Sequence, residues 1–220
     1  MEDYTRALSL DPKFALAYAN RGEAKYEIGD FNGAIADFND SLKLNPNSAV
    51  VYSDRGLTKS RLGDNDGAIA DCTRAIELNP QDARVYNNRG VSKAKKGDYV
   101  GAMADYNRGI DIDPRFAHNY NNRGWLRAEK GDIDGAMADY NHAIELDPKF
   151  ADTYNNRGWI KAQNGDFAGA MIDYNAAIEL NSKYALAYLN RSLAKTKKGD
   201  ITGAEEDMAQ ARKLDPSVGK

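Results

Sequence analysis

Residues 117–150 read AHNYNNRGWLRAEKGDIDGAMADYNHAIELDPKF, and their pattern decides the fold. Two apolar-periodic segments flank Gly131 and Asp132. Glycine suits the left-handed C-terminal cap of a first helix of about 14 residues, and aspartate suits the N-cap of the next. In the second segment Met137, Tyr140, Ala143 and Ile144 recur at helical spacing, and Pro148 disfavours helix in the residue before it. The stretch therefore predicts a helical hairpin.

The hairpin recurs along the chain. Pro12, Pro46, Pro80, Pro114, Pro148 and Pro216 fall in one column of period 34, with Ser182 in the remaining place. Glycine columns run from Gly22 to Gly158, from Gly29 to Gly199 and from Gly33 to Gly203 with the same period. A fixed period of this size marks a solenoid, in which each unit buries its apolar face against its neighbours. Six units result, 15–48, 49–82, 83–116, 117–150, 151–184 and 185–218. Residues 1–14 match the second helix of a further, truncated leading repeat, with Tyr4, Ala7 and Pro12 in register. In the last unit Met171 is answered by Glu205, Ile172 by Glu206 and Ile178 by Arg212, the polar outer face expected of a C-terminal cap.

Composition narrows the function. Thirty Lys and Arg against 33 Asp and Glu give a net charge of −3, which provides no electrostatic footprint for nucleic acid or an anionic membrane. Cys72 is the single cysteine, and with His118 and His142 it cannot build a structural zinc site or a disulfide framework. No run of about 18 apolar residues predicts membrane insertion. The start MEDYTRALSL lacks the segments of a signal peptide, so a soluble chain with the cytoplasm favoured is the expectation. No phosphate-binding GxxxxGK loop and no nucleophile beside a base stands in the pattern. The reading is of a non-enzymatic chain without cofactor or metal, in which Cys72 is a small core residue.

The 34-residue pattern resembles the tetratricopeptide repeat family, and Tyr120, Gly124, Ala136, Tyr140, Ala143 and Pro148 carry that resemblance within one unit. YNNRG followed by GDxxGAxxDYNxAIELDP is similar to arrays common in bacteria. The resemblance implies an all-α, right-handed α-α superhelix of tandem hairpins acting as a protein-binding scaffold. It also implies that the first helices line a concave groove where ligand peptides lie.

Two columns depart from the family pattern. Arg21, Arg55, Arg89, Arg123, Arg157 and Arg191 precede the position after which Lys25, Lys59, Lys93, Arg127, Lys161 and Lys195 follow one turn on. Asp37, Asp71, Asp105, Asp139, Asp173 and Asp207 run equally regularly through the second helices. In an antiparallel hairpin Arg123 and Asp139 stand at one height, so a structural Arg to Asp ladder is expected, with a basic strip for an acidic partner as the alternative.

On the groove, Asn20, Asp54, Asn88, Asn122, Asn156 and Asn190 form one polar rung per repeat, with Asn121 and Asn155 beside two of them. An amide offers both donor and acceptor, so such a ladder can hold an extended peptide backbone or fix one repeat on the next. It resembles the asparagine ladder in the superhelix of O-GlcNAc transferases. Leu57, Val91, Trp125, Trp159 and Leu193 form an adjacent apolar stripe, in which the two tryptophans are the candidate anchors. Family members that clamp a chaperone's C-terminal carboxylate need a lysine and an asparagine where this chain has Ala19, Ser53, Asn87, Asn121, Asn155 and Leu189, and Glu23, Leu57, Val91, Trp125, Trp159 and Leu193. No carboxylate clamp is expected. The alternatives to peptide capture are self-assembly through repeat ends and a regulatory segment of a larger protein.

Overall fold

The computed structural model describes residues 1–218. Every regular element among them is an α-helix. In chain order these are α1 Glu2–Leu10, α2 Ala15–Glu27, α3 Phe31–Leu44, α4 Ala49–Arg61, α5 Asn65–Leu78, α6 Ala83–Lys95, α7 Tyr99–Ile112, α8 Ala117–Glu129, α9 Ile133–Leu146, α10 Ala151–Gln163, α11 Phe167–Leu180, α12 Ala185–Lys198 and α13 Ile201–Leu214. They group into two compact units, Met1–Pro114 and Arg115–Lys220. The first contains α1 and the hairpins α2/α3, α4/α5 and α6/α7; the second contains α8/α9, α10/α11 and α12/α13. The architecture is a tandem array of helical hairpins.

The turns follow from local chemistry. Gly131 takes φ +81°, the left-handed conformation that costs glycine nothing, and the amide of Asp132 then donates to the carbonyl of Arg127 at 2.9 Å. The Asp132 carboxylate in turn accepts from the amide of Gly135 at 3.0 Å, capping the next helix. After α9, Asp147 accepts from the amide of Lys149 at 3.0 Å in an Asx turn around Pro148.

Four of the hairpins close over a helix-facing aromatic. A Cβ placed on Gly124 would stand 2.9 Å from Cε1 of Tyr140, so the glycine admits the ring at contact distance. Phe38, Tyr106, Tyr140 and Tyr174 are buried in this way, each beside a buried alanine on its own second helix, Ala34, Ala102, Ala136 and Ala170. Cys72 occupies the corresponding place in α5 and is fully buried. Burial, with the nearby Asp71 charge, pushes its thiol pKa up to about 12, which keeps it in the unreactive thiol form.

Candidate protein-binding face of the first helices

The arginine and aspartate columns meet inside every hairpin. Arg21, Arg55, Arg89, Arg123, Arg157 and Arg191 each donate through Nε and Nη2 to the two carboxylate oxygens of Asp37, Asp71, Asp105, Asp139, Asp173 and Asp207, at 2.6–3.0 Å. The second cation of each unit reaches the same carboxylate, as Lys161 does to Asp173 at 2.8 Å and Arg127 to Asp139 at 2.9 Å. Each guanidinium also stands over the tyrosine three residues before it, with Arg157 5.7 Å from the Tyr154 ring centre. In three of them Nη1 donates backwards to the preceding hairpin of the same unit: Arg55 to Asn39 Oδ1 at 2.6 Å, Arg157 to Asn141 Oδ1 at 2.8 Å, Arg191 to Asn175 Oδ1 at 2.7 Å. Each of these three side chains thus ties a hairpin together and joins it to its predecessor. These head groups are largely covered, with 15–19% of each arginine side chain exposed.

The asparagine columns divide by depth. Asn121 and Asn155 are buried, whereas Asn20, Asn88, Asn122, Asn156 and Asn190 are half-buried. Asn156 donates through Nδ2 to Oδ1 of Asn121 at 3.1 Å, and Asn190 likewise to Asn155 at 2.9 Å. Asn121 donates in turn to Asn122 Oδ1 at 3.2 Å. Neighbouring first helices in the second unit are therefore tied by amide to amide bonds, and the Oδ1 atoms of Asn156 and Asn190 are left to accept.

Beside these amides lies a pocket of about 200 Å³, lined by Trp125, Ala128, Glu129, Tyr140, Asn155, Asn156, Trp159, Leu186 and Asn190. Trp125 and Trp159, one repeat apart, are 38% and 41% exposed, a large apolar area left facing water. Leu193 is exposed further along the same stripe, while Leu57 and Val91 in the first unit are half-buried.

In the first unit Arg84, Arg61 and Lys95 are engaged locally. Arg84 folds back on Asp82, its Nη2 donating at 2.8 Å. Arg61 donates to the Tyr26 hydroxyl at 3.2 Å, and Lys95 to the Ser60 carbonyl at 3.2 Å. Asp54 stands where the other repeats carry asparagine; burial and the charge of Glu23 push its carboxyl up to about 6. In the second unit His118 stacks between the rings of Phe116 and Phe150, with centroids 4.9 and 4.4 Å away, and this burial holds its pKa down. His142 is half-buried, with its ring edge-on to Tyr120 at 4.5 Å. No cluster of three or more His, Cys, Asp and Glu able to hold a metal occurs among the described residues, and no helix among them is long and apolar enough to cross a membrane.

Family models for the TPR repeat match residues 126–165, and models for the tetratricopeptide repeat match residues 15–48, 53–115 and 151–184, so that together they span most of the array. The chain belongs to the tetratricopeptide repeat family. No curated protein matches the sequence. Among solved structures the chain is similar to one in the APC/C hetero-tetramer Cut9-Hcn1, with TM-score 0.88 and 17% identity over 97% of this chain and 42% of that one. It spans less than half the length of that relative. A tetratricopeptide repeat protein from Parabacteroides merdae gives TM-score 0.80 and 18% identity over 97% of this chain and 85% of that one. YrrB, described as a TPR protein with an unusual peptide-binding site, gives TM-score 0.59 and 20% identity over 84% and 95%. At these identities the likeness speaks to fold.

Tetratricopeptide proteins bind protein partners, and the fold is typically a non-enzymatic scaffold. Within this tetratricopeptide array the pocket adds Tyr140 and Leu186 to the stripe that sequence spacing singles out. Both come from helices other than the one carrying Trp125, so no single-helix periodicity could connect them.

Proposed function

We propose that this chain is a protein-binding scaffold that captures an extended partner segment along the face made by its first helices. The exposure of Trp125 and Trp159, both lining one pocket, carries this reading. Leaving two indoles 38% and 41% exposed is unfavourable in water, and paired aromatic anchors are the usual source of binding energy at interfaces. Asn122, Asn156 and Asn190 supply amide groups beside them for the partner's backbone, and Asn20 and Asn88 do so in the first unit. The arginine ladder serves the hairpins, so it does not offer a basic strip to an acidic partner. A chaperone-tail clamp is not part of the proposal, because the columns that would supply its lysine and asparagine lack them.

The test compares the protein with a Trp125→Ala, Trp159→Ala variant, after circular dichroism establishes that both are equally helical. Each is immobilised and exposed to lysate of the native organism, and retained proteins are identified by mass. Proteins held by the first and lost from the second are the expected result. Identical sets would contradict the proposal and move attention to the second helices or the array ends.

A further inference from the structure

The pocket between Trp125 and Trp159 has a chemistry of its own, and it bears on what the captured segment carries. At about 200 Å³ it is smaller than the roughly 300–1,000 Å³ of sites that hold whole small ligands, so it suits one side chain. Glu129 is the one ionised group on its wall, and no cation of the described residues lines it. Asn156 and Asn190 each use one Nδ2 hydrogen on a neighbouring helix, which leaves the carbonyl oxygen and one N–H of each amide. The two indoles add electron-rich faces, the best aromatic partners for a cation.

The Glu129 carboxylate, the amide oxygens and the indole faces are all satisfied by a positively charged donor. An acidic side chain would meet Glu129 with no compensating cation. An aliphatic one would cover the indoles while stripping water from a carboxylate and two amide oxygens, which is costly without replacement hydrogen bonds. The chain itself shows the preferred solution three times, at Arg55, Arg157 and Arg191. Arg157, for example, lies over Tyr154, pairs with the Asp173 carboxylate and donates to the Asn141 amide oxygen. Aromatic face, carboxylate and amide oxygen are the same three kinds of partner that converge on the pocket wall. A planar guanidinium with five donors can use all three at once, which an ammonium does less well.

We infer that the Trp125–Trp159 pocket selects an arginine side chain on the partner segment, with Glu129 as its counter-ion and the indoles as its stacking surfaces. This rests on the capture reading above and adds the partner's chemistry to it. His118, held neutral between two phenylalanines, adds no positive charge to this part of the face.

Trp125 and Trp159 are the two tryptophans of the chain, so indole emission reports on this pocket alone. Blocked pentapeptides of alanine carrying arginine, leucine or glutamate at the centre are titrated against the protein at low salt. The expected result is a saturable change with the arginine peptide, an affinity about threefold or more above that for the leucine peptide, and a comparable loss in Glu129→Gln, in keeping with a part-exposed ion pair. The glutamate peptide is expected to give no saturable change. Leucine binding as tightly as arginine, or an arginine affinity unmoved in Glu129→Gln, would overturn the arginine assignment while leaving capture by an apolar anchor in place. No saturable change with any of the three peptides would also overturn it. The capture reading is judged separately, by the lysate comparison with the double tryptophan variant.

Discussion

Arg157 and Asp173 form a two-point ion pair at 3.0 and 2.6 Å between the two helices of one hairpin, and the third guanidinium nitrogen of Arg157 reaches Asn141 of the hairpin before it. The Asp173 side chain is 1% exposed and serves Lys161 as well, so two cations depend on one buried carboxylate.

Removing that carboxylate strands both cations, whereas removing Arg157 leaves Asp173 with Lys161. Asp173→Asn is expected to destabilise the protein by about 3 kcal/mol, the scale for breaking a buried pair by deleting one partner. Arg157→Leu is expected to cost less. Urea denaturation followed by circular dichroism checks the order, and equal losses would argue against a shared carboxylate.

Two members of the ladder also predict a response to acid. Burial raises the Asp37 and Asp207 carboxyls, but hydrogen bonds from Arg21 and Lys25, and from Arg191 and Lys195, outweigh it, so both sit below the usual carboxylate value. As pH falls the unfolded chain, with carboxyls near about 3.9, takes up protons first. The stabilisation is therefore whole above about pH 4 to 5 and drains away as pH falls through the lowered folded values. Thermal midpoints of Asp37→Asn are expected to decline less steeply than those of the unaltered protein below about pH 4. An unchanged slope would contradict this.

Asp54 runs in the opposite direction. Its carboxyl, raised to about 6 by burial and by Glu23, binds a proton in the folded chain before the unfolded one does. On this group's account stability falls as pH rises from about 4 to about 6. Asp54→Asn restores the amide that the equivalent Asn20 and Asn88 carry. It is expected to stabilise by about 1 kcal/mol near pH 7, allowing for solvent screening, with little effect near pH 4. Urea midpoints at both pH values test this, and an equal gain at both would point away from titration.

Thr153 is fully buried, and its Oγ1 has no hydrogen-bond partner among the described residues. The equivalent places in α4 and α6 hold the buried Val51 and Val85. Thr153→Val keeps the shape and removes an unsatisfied hydroxyl, so a gain of about 1 kcal/mol in unfolding free energy is expected. A loss would show that the hydroxyl finds a partner in solution.

The all-α tandem fold was legible because its signals are local and repeated. Gly131 punctuates one helix, Asp132 opens the next and Pro148 closes the unit, and each acts through its own backbone. What escaped the sequence depends on how one hairpin is rotated against the next. Asn121 and Asn122 are adjacent in the chain, yet one is buried and accepts from Asn156 while the other is half-buried. Nor does spacing reveal that Arg84 bends back onto Asp82, two residues away, instead of presenting a free charge.

If a partner lies on the first-helix face of the second unit, a photo-crosslinker set on that face reaches it. A benzophenone amino acid is placed at Gln163, exposed near the end of α10, or at Ile172, 68% exposed on the second helix α11, and each protein is irradiated with partner retained from lysate. Crosslinks from position 163 and none from position 172 are the expected result. Crosslinks from position 172 alone would contradict capture on the first-helix face.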